Sequence, residues 1–174
     1  MLFRSIESAL QQTAHLAKEL DVEIIVNLPD YPVNAQADSR RIERVLRNLL
    51  ANAIDHSEGN PVTIDIGHTE TAIAVAVTDQ GVGLKEGQEE LVFNRFWRAD
   101  ASRKRHSGGT GLGLAIARED ATLHGGSLDA TGIPGVGSRF RLIIPREPGA
   151  AFGEEPLPLV LPNAPVANDE ESED

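Results

Sequence analysis

The stretch from Asp79 to Leu114 constrains the fold and function of this chain more than any other part of the sequence. It begins D-Q-G-V-G-L and ends G-G-T-G-L-G-L, so two glycine-rich turns bracket a polar, basic segment in a chain of net charge -11. Glycine permits positive φ and close approach of the backbone to a ligand. Either turn alone is best interpreted as an ordinary surface turn. Both together, after a carboxylate at a strand end and around a cationic loop, predict a nucleotide pocket.

Composition excludes several classes of function. The negative net charge argues against a nucleic-acid groove, because phosphate binding needs a basic surface. The chain has no cysteine, which excludes disulfides, thiolate metal sites and a thiol nucleophile. No apolar run approaches the roughly 20 residues that cross a bilayer, and the start lacks the apolar segment of a signal peptide. We therefore expect a soluble domain with no nucleic-acid partner and no direct membrane insertion.

Hydrophobic periodicity and capping residues predict alternating helices and strands. In the strand before Asp79, bulky Ile73, Val75 and Val77 alternate with three alanines, so one face suits a core and the other leaves room for something close. The predicted elements are a helix over 5–20 capped by Ser5, strands over 22–28 and 33–37, a helix from Asp38 or Ser39 to about Ser57, strands over 62–67 and 71–78, a helix over 112–124, and hairpin strands over 127–131 and 137–145.

The second predicted helix carries a polar cluster beside its apolar stripe. Asn48, Asn52, Asp55 and His56 lie together on a helical wheel, and residues four apart stack one turn above the other. Asn48 and Asn52 can therefore point at the same ligand. An amide oxygen can bind a hard cation and an amide nitrogen can donate a hydrogen bond. The pair is equally compatible with two asparagines that face water.

The segment between the glycine turns shows little periodicity, and a loop of this length is usually functional or disordered. We expect Phe93, Phe96 and Trp97 to anchor one helical turn on the domain, and the loop after them to be mobile without ligand. An anionic ligand accounts better than a solvated surface for the basic residues, which are Lys85, Arg95, Arg98, Arg103, Lys104 and Arg105.

The chain changes character after Arg146, beyond which there is no lysine or arginine. Prolines, scattered aliphatic residues and an acidic end predict a disordered Pro-rich acidic tail over 147–174, and a folded domain over 1–146. One compact apolar piece of the tail, over 157–161, can dock on the domain or on another protein.

Four motifs in order resemble those of the catalytic, ATP-binding domain of sensor histidine kinases, within the superfamily shared by gyrase, Hsp90 and MutL. R-N-L-L-A-N-A-I-D-H-S resembles the N box, D-Q-G-V-G-L the first glycine box, F-N-R-F-W-R-A-D the F box and G-G-T-G-L-G-L-A-I-A the second glycine box. The resemblance covers roughly residues 5–146. The N-A-I-D-H variant and the Pro-Leu-rich tail are similar to those of MtrB-type kinases.

The resemblance implies an α/β (α+β) two-layer sandwich, with a mixed, mostly antiparallel sheet of about five strands packed on three helices and a mobile ATP lid. It implies ATP and Mg²⁺ as ligands, with Asn52 binding Mg²⁺, Asn48 assisting, and Asp79 accepting a hydrogen bond from the adenine amino group. Guanine has a carbonyl at that position and would be rejected. The expected nucleotide-binding residues are Asn48, Asn52, Asp55, His56, Asp79, Gly81, Gly83, Leu84, Gly109, Thr110, Gly111, Leu112, Gly113 and Leu114.

The resemblance also implies a catalytic role for Asn48, and for Arg95 and Arg98 as lid residues that pair with phosphate oxygens. Two departures from the family pattern carry information. Asp55 stands where such kinases often have a basic residue. Asn48 stands where ATPases of the superfamily place a glutamate base, and an amide cannot take a proton from water. We therefore expect little ATP hydrolysis and transfer of the phosphoryl group to an outside nucleophile.

The family's phosphoacceptor histidine lies on a separate dimerisation helix, and none of the five histidines here has its neighbourhood. We therefore expect half of a histidine protein kinase. The implied partners are the dimerisation and phosphoacceptor domain of a parent kinase and a response regulator. The implied location is the cytoplasmic portion of a membrane-anchored sensor, and the isolated domain is expected to be a monomer.

Two alternatives stay open, an anti-sigma-type serine kinase of the same fold and a non-catalytic module that binds a nucleotide or a partner. A clamp ATPase is disfavoured by the absence of the glutamate base. A dinucleotide-binding oxidoreductase is excluded, because the second glycine turn reads G-x-G-x-G rather than G-x-G-x-x-G.

Overall fold

The computed structural model describes residues 2–99, 111–151 and 153–162, and these form one five-stranded sheet with helices. The strand order is β1-β2-β3-β5-β4, in which β1 and β2 are parallel and the other neighbours are antiparallel. The elements in chain order are α1 (Leu2–Glu19), β1 (Ile24–Asn27), α2 (Ser39–His56), β2 (Val62–His68), β3 (Ala72–Asp79), α3 (Gln88–Leu91), α4 (Gly113–Leu123), β4 (Ser127–Ile133) and β5 (Gly137–Pro145).

The predicted fold class is confirmed, with a mixed sheet of five strands packed on three long helices. The helix α3 is an additional single turn. The cap at Asp38 is also confirmed, since its side chain accepts hydrogen bonds from the backbone N–H groups of Arg40 and Arg41.

Three local predictions were wrong. The first helix begins at Leu2, so Ser5 is buried inside it rather than capping it. Residues 33–37 form no strand, although Val33 is buried and Gln36 donates a backbone hydrogen bond to Arg146. Leu123, which helical spacing in the sequence makes available for burial, is 63% exposed. Each error concerns an end of an element or a short segment, where tertiary contacts outweigh local preference.

The main core lies between the helices and one face of the sheet. The apolar stripe of α2, including Val45 and Leu49, is fully buried against Ile73, Val75 and Val77 of β3 and against Phe140 of β5. Burying one side chain of this size contributes about 1.5–3 kcal/mol. This face therefore supplies most of the driving force for folding and fixes α2, which carries the polar cluster predicted from the sequence.

The other face of the sheet is covered by the segment 153–162. Leu157 packs against Ala72, Ala74 and Ile143. Arg141 of β5 donates hydrogen bonds to the Glu155 carboxylate at 2.7 Å and to the Leu157 carbonyl at 2.9 Å. The room predicted beside the alanine face of β3 is thus filled by the chain's own C-terminal segment.

This docking confirms one prediction for the tail. The apolar piece over 157–161 contacts the domain, and Leu161 is 6% exposed. Apolar burial and an ion pair hold the segment 153–162 on the sheet, and the predicted disorder of the tail over 147–174 stays a prediction. The domain boundary after Arg146 stays a prediction, and residues 163–174 lie outside the described residues. Within the described ranges, no helix is long and apolar enough to span a membrane.

Candidate functional site

A cavity of about 310 Å³ lies between the C-terminal part of α2, the loop after β3, the residues after α3 and the start of α4. Such a volume is at the lower end of the range for small-molecule sites. Asn52, Asp55 and His56 of α2 form its polar wall. Its apolar wall is formed by Val82, Leu84, Val92, Trp97, Leu114 and Phe140. A polar wall opposite an apolar one suits a flat, partly polar ligand.

A smaller cavity of about 80 Å³ adjoins the first, since both are lined by Asn52, Asp55 and His56. It adds Asn48 and two of the predicted glycines, Gly111 and Gly113. The polar cluster of α2 therefore lines a continuous space that leads to the first residue of α4. All four of its members face that space, as their helical spacing predicted.

Asn48 is connected directly to α4. Its amide nitrogen donates a hydrogen bond of 3.0 Å to the carbonyl of Gly113. A Cβ at position 113 would lie 3.4 Å from the Asn48 amide carbon, which is van der Waals contact, so the start of α4 lies directly against the Asn48 side chain. The hydrogen bond uses the nitrogen of Asn48 and leaves its amide oxygen as an acceptor.

The N-terminus of α4 presents backbone donors. The first N–H groups of a helix have no partner within the helix, and they carry the positive end of its dipole. Leu112, whose side chain cannot accept a hydrogen bond, stands at the N-cap position. Gly111 has a φ of 81° and accepts a backbone hydrogen bond from Phe96 at 2.9 Å. The position of this turn is thus fixed by Phe96, and a helix N-terminus of this kind favours an anionic group.

Asp79 lies behind the cavity wall rather than in it. The residue is 1% exposed. Its carboxylate accepts hydrogen bonds from the Ser138 hydroxyl at 2.6 Å and from the Gly81 backbone N–H at 3.0 Å. Burial raises the pKa of Asp79 above its ordinary value, and these hydrogen bonds oppose that rise only in part. Ser138 does line the cavity, so the carboxylate is one side chain away from it.

The first glycine turn serves the packing of the chain on itself. A Cβ at Gly81 would lie 1.6 Å from the His56 carbonyl oxygen, and one at Gly83 would lie 1.9 Å from the Ile133 carbonyl oxygen. Gly83 also has a φ of 71°. Gly83 and the buried Leu84 line the cavity, whereas Gly81 is placed by its contact with α2. Both glycines therefore allow close approach of one backbone segment to another, and their predicted contact with a ligand stays a prediction.

The basic segment is only partly described. Arg98 and Lys85 line the cavity, whereas Arg95 is exposed and lies outside the lining. The predicted site residues Gly109 and Thr110, and the basic residues Arg103, Lys104 and Arg105, lie outside the described residues, as does most of the predicted mobile loop.

The aromatic anchors of this segment differ from the prediction in one residue. Phe93 is buried and packs edge-to-face on Phe140, with the Arg118 guanidinium 4.3 Å from its ring centre. Trp97 packs against the main core. Phe96, expected to be an anchor, is 69% exposed and adopts a positive φ of 63°, because its backbone rather than its ring meets Gly111.

The side chains of the α2 cluster suit a hard cation that is also bound by water or by a substrate. Among the described residues, no three His, Cys, Asp or Glu side chains lie close enough to hold a metal by themselves. Mg²⁺ is commonly bound by one or two protein oxygens together with substrate phosphates and water. The amide oxygens of Asn48 and Asn52 and the nearby Asp55 provide such a partial set of ligands.

Sequence reasoning missed Ser138 because its role depends on strand register. Ser138 lies directly opposite Asp79 in the antiparallel pairing of β3 with β5. Its position within G-S-R-F-R-L gives no local sign of this partner.

The matching family model covers residues 37–148, more than half of the chain, and describes the histidine kinase-, DNA gyrase B- and HSP90-like ATPases. The chain is 56% identical over 155 residues to the sensor histidine kinase MtrB of Mycolicibacterium paratuberculosis and 54% identical over 155 residues to MtrB of Mycobacterium tuberculosis. It is 42% identical over 133 residues to the sensor histidine kinase WalK of Bacillus subtilis. These alignments cover 89%, 89% and 75% of this chain, but only 27%, 27% and 22% of the relatives.

Solved structures agree with these relatives. The mycobacterial sensor histidine kinase MprB aligns with a TM-score of 0.71 at 27% identity, covering 84% of this chain and 96% of that one. A nucleotide-free catalytic domain of the histidine kinase ThkA aligns with a TM-score of 0.72 at 26% identity, covering 84% and 95% of the two chains. The resemblance to MtrB-type kinases inferred from the motifs is confirmed. On this evidence the chain belongs to the histidine kinase-, DNA gyrase B- and HSP90-like ATPase family.

Proposed function

We propose that this chain is the ATP-binding catalytic domain of a two-component sensor histidine kinase. It binds Mg-ATP and delivers the γ-phosphoryl group to a histidine on a separate dimerisation domain, for relay to a response regulator. The observation that carries the proposal is the cavity that joins three features, namely the Asn48 and Asn52 side chains, the N-terminus of α4 and the Asp79–Ser138 pair. Mg-ATP has three parts that must be held, namely the cation, the phosphates and the base, and each of these features suits one of them.

Recognition of the base is assigned to the Asp79 end of the cavity. The carboxylate accepts hydrogen bonds from the Ser138 hydroxyl and from the backbone N–H groups of Gly81 and Ser138. Its two oxygens have about four acceptor sites, so capacity remains for an amino group. The apolar residues Val82, Leu84 and Phe140 line the same cavity and suit the faces of a purine ring. An acceptor-only group here favours adenine over guanine.

The phosphates are assigned to the α4 end, where the helix dipole and backbone N–H groups of Gly113 and Leu114 favour negative charge. The amide oxygens of Asn48 and Asn52 would hold Mg²⁺, which neutralises charge on the phosphate oxygens when bound. Arg98 adds a cation at the cavity, and Arg95 is proposed to join it from the lid. Gly109, Thr110 and Leu112 are proposed to complete the phosphate loop.

The polar cluster of α2 also accounts for the low rate of ATP hydrolysis that we expect. Asn48 can orient a ligand but cannot accept a proton, so water near the phosphates is not activated by it. The domain should therefore hold ATP with little hydrolysis until a histidine of another domain reaches the γ-phosphate. The chain spans about a quarter of the length of the MtrB proteins that it matches.

Calorimetric titration tests the proposal, with ADP, a non-hydrolysable ATP analogue and GTP, each with and without Mg²⁺. We expect the adenine nucleotides to bind, GTP to bind far more weakly, and Mg²⁺ to tighten the ATP analogue. Asp79→Asn should weaken adenine binding about tenfold or more, since a hydrogen bond to a charged group contributes about 1.5–3 kcal/mol. Asn52→Ala should remove most of the Mg²⁺ effect.

Two matched variants serve as controls. Asp129→Asn changes a half-buried carboxylate on β4 that pairs with Arg118, and Asn27→Ala changes an exposed amide on β1 that pairs with Asp65. Neither should alter nucleotide affinity by more than about twofold. Wild-type protein that is folded and binds no nucleotide would refute the proposal, and would leave a module that binds another partner.

A further inference from the structure

The contact between α2 and α4 buries no large apolar side chain of α4 completely. The buried side chains of α4 are Ala117, Asp120 and Ala121, so two of the three end at a methyl group. Small side chains let two helices approach closely, but they form low ridges that resist sliding less than leucine-sized side chains. Apolar packing alone therefore leaves the position of α4 along α2 weakly defined. The third residue, Asp120, has a charge that such an interface would normally exclude.

Asp120 is held by two arginines of α2. Its carboxylate accepts hydrogen bonds from Arg41 at 3.0 Å and from Arg44 at 2.8 Å through each of two nitrogens. The Asp120 side chain is 2% exposed, whereas those of Arg41 and Arg44 are 44% and 41% exposed. The buried carboxylate is thus paired with two arginines whose side chains are partly exposed. The Arg44 contact is bidentate, which also fixes its direction.

A histidine adds a second connection at the same end of α4. The backbone N–H of Asp38 lies 3.0 Å from Nε2 of His124, and an N–H can only donate, so Nε2 is the acceptor. The other ring nitrogen, Nδ1, then carries the hydrogen and donates to the Asp120 carbonyl at 2.7 Å. The residue that caps α2 and the residue that ends α4 are therefore connected through one imidazole ring.

The opposite end of the same helix pair is the candidate phosphate site. Asn48 lies one helical turn beyond Arg44 on α2, and it bonds to Gly113, the first residue of α4. Asp120 lies seven residues further along α4, about 10 Å at the rise of an α-helix. A short helix moves as a rigid rod, so fixing Asp120 against Arg41 and Arg44 also fixes the N–H groups at its other end.

We infer that Asp120 is a positioning residue for the nucleotide site: its ion pairs with Arg41 and Arg44 set the register of α4 against α2 and so place the helix N-terminus beside Asn48. The inference rests on the proposed function for its consequence, the binding of phosphates. Stability is a weak explanation for the ion pairs, since replacing a buried ion pair by apolar side chains is often neutral or stabilising, whereas fixing register is a known use of buried polar groups.

The test compares wild type, Asp120→Leu and Asp120→Asn, with Asp129→Leu on β4 as the matched control. Affinities for adenosine and for a non-hydrolysable ATP analogue with Mg²⁺ are measured by titration, using NMR shifts for the weaker ligand. We expect both Asp120 variants to bind the ATP analogue about three- to tenfold more weakly, as expected when a helix N-terminus is misplaced, while adenosine affinity stays within about twofold. Asp129→Leu should change neither affinity.

A second measurement does not need a nucleotide. In the ligand-free protein, the amide resonances of Gly113 and Leu114 should shift, and their hydrogen exchange should accelerate, in the Asp120 variants but not in Asp129→Leu. Folded Asp120 variants with unchanged Gly113 and Leu114 amides would overturn the inference, and so would an equal loss of affinity for adenosine and the ATP analogue. Absence of nucleotide binding by the wild type would instead refute the proposed function, and the amide measurement would still decide the role of Asp120.

Discussion

Asp79 and Asp120 are equally buried, but their carboxylates accept hydrogen bonds from different kinds of donor. Each is 1% exposed. Asp79 accepts its hydrogen bonds from a hydroxyl and a backbone N–H, and among the described residues no cation forms an ion pair with it. Asp120 accepts from two guanidinium groups. Burial raises the pKa of both carboxyls; for Asp79 it prevails, whereas for Asp120 the bonds from Arg44 and Arg41 outweigh it and lower the pKa.

The difference separates a carboxylate that could still accept a hydrogen bond from a ligand, as we propose for Asp79, from one that is committed to the fold. A buried carboxylate with only neutral donors is incompletely compensated, so a further donor from a ligand is favourable there. A carboxylate already paired with two cations has little to gain from a ligand. Burial alone would have marked both aspartates as candidate site residues. The nature of their donors is consistent with the recognition role that we propose for Asp79, and it assigns Asp120 to helix packing.

The largest expected effect comes from removing the cations of Asp120. In Arg41→Met/Arg44→Met the carboxylate stays buried without its partners, which typically costs about 3–5 kcal/mol of unfolding free energy. The surroundings of Asp120 then resemble those of Asp79, and its pKa should change from lowered to raised. Urea unfolding at neutral pH and at pH 4 measures both consequences.

The control for this pair is Arg40→Met/Arg47→Met, which removes two exposed arginines from the same helix and should cost much less. Adding Asp120→Leu to Arg41→Met/Arg44→Met should recover most of the lost stability, because no charge then remains buried. Strict additivity of the three substitutions would show that Asp120 and the arginines do not act on one another.

A smaller effect is expected from Ser138→Ala, which makes the surroundings of Asp79 still poorer in donors. The hydroxyl bond to the carboxylate is lost, and the unfolding free energy at neutral pH should fall by about 1.5–3 kcal/mol. The pKa of Asp79 should rise further, since less remains to oppose burial. Chemical unfolding and NMR titration of the Asp79 carboxyl carbon measure these changes. Ser127→Ala on β4 provides the matched control, and an unchanged pKa in Ser138→Ala would contradict the assignment.

The smallest expected effect concerns the pH dependence of the unfolding free energy, to which Asp79 and Asp120 contribute with opposite signs. The folded state binds a proton at Asp79 more readily than the unfolded chain does, so the stabilisation of the protonated form is present at low pH and is lost as pH rises above 3.8 through the raised pKa. The contribution of Asp120 is present above 3.8 and is lost as pH falls through the lowered pKa.

Unfolding free energies of wild type, Asp79→Asn and Asp120→Asn between pH 3 and pH 7 separate the two aspartates. Relative to the wild type, Asp79→Asn should gain stability as pH rises and Asp120→Asn should lose it. Parallel pH profiles for the two variants would remove the distinction between them.

The sequence by itself determined the features that local patterns encode. The spacing of apolar residues on α2 determined which face is buried, and with it the shared orientation of Asn48, Asn52, Asp55 and His56. Asp38 marked the start of that helix because its side chain caps the backbone two and three residues away. The alternation along β3 separated a core face from a face of small residues. The two glycine turns marked the ends of the predicted site.

Only the tertiary structure decided which distant groups meet. Ser138 reaches Asp79 across 59 residues because of the register between β3 and β5, and Arg41 reaches Asp120 across 79 residues because α4 crosses α2 there. The segment 153–162 has the composition of a tail, but in the structure it contacts Ala72, Ala74 and Arg141 of the sheet. Local patterns depend on residues within one or two turns, whereas these contacts depend on how whole elements are placed. Register and helix crossing follow from the packing of the complete chain, so no local pattern could predict them.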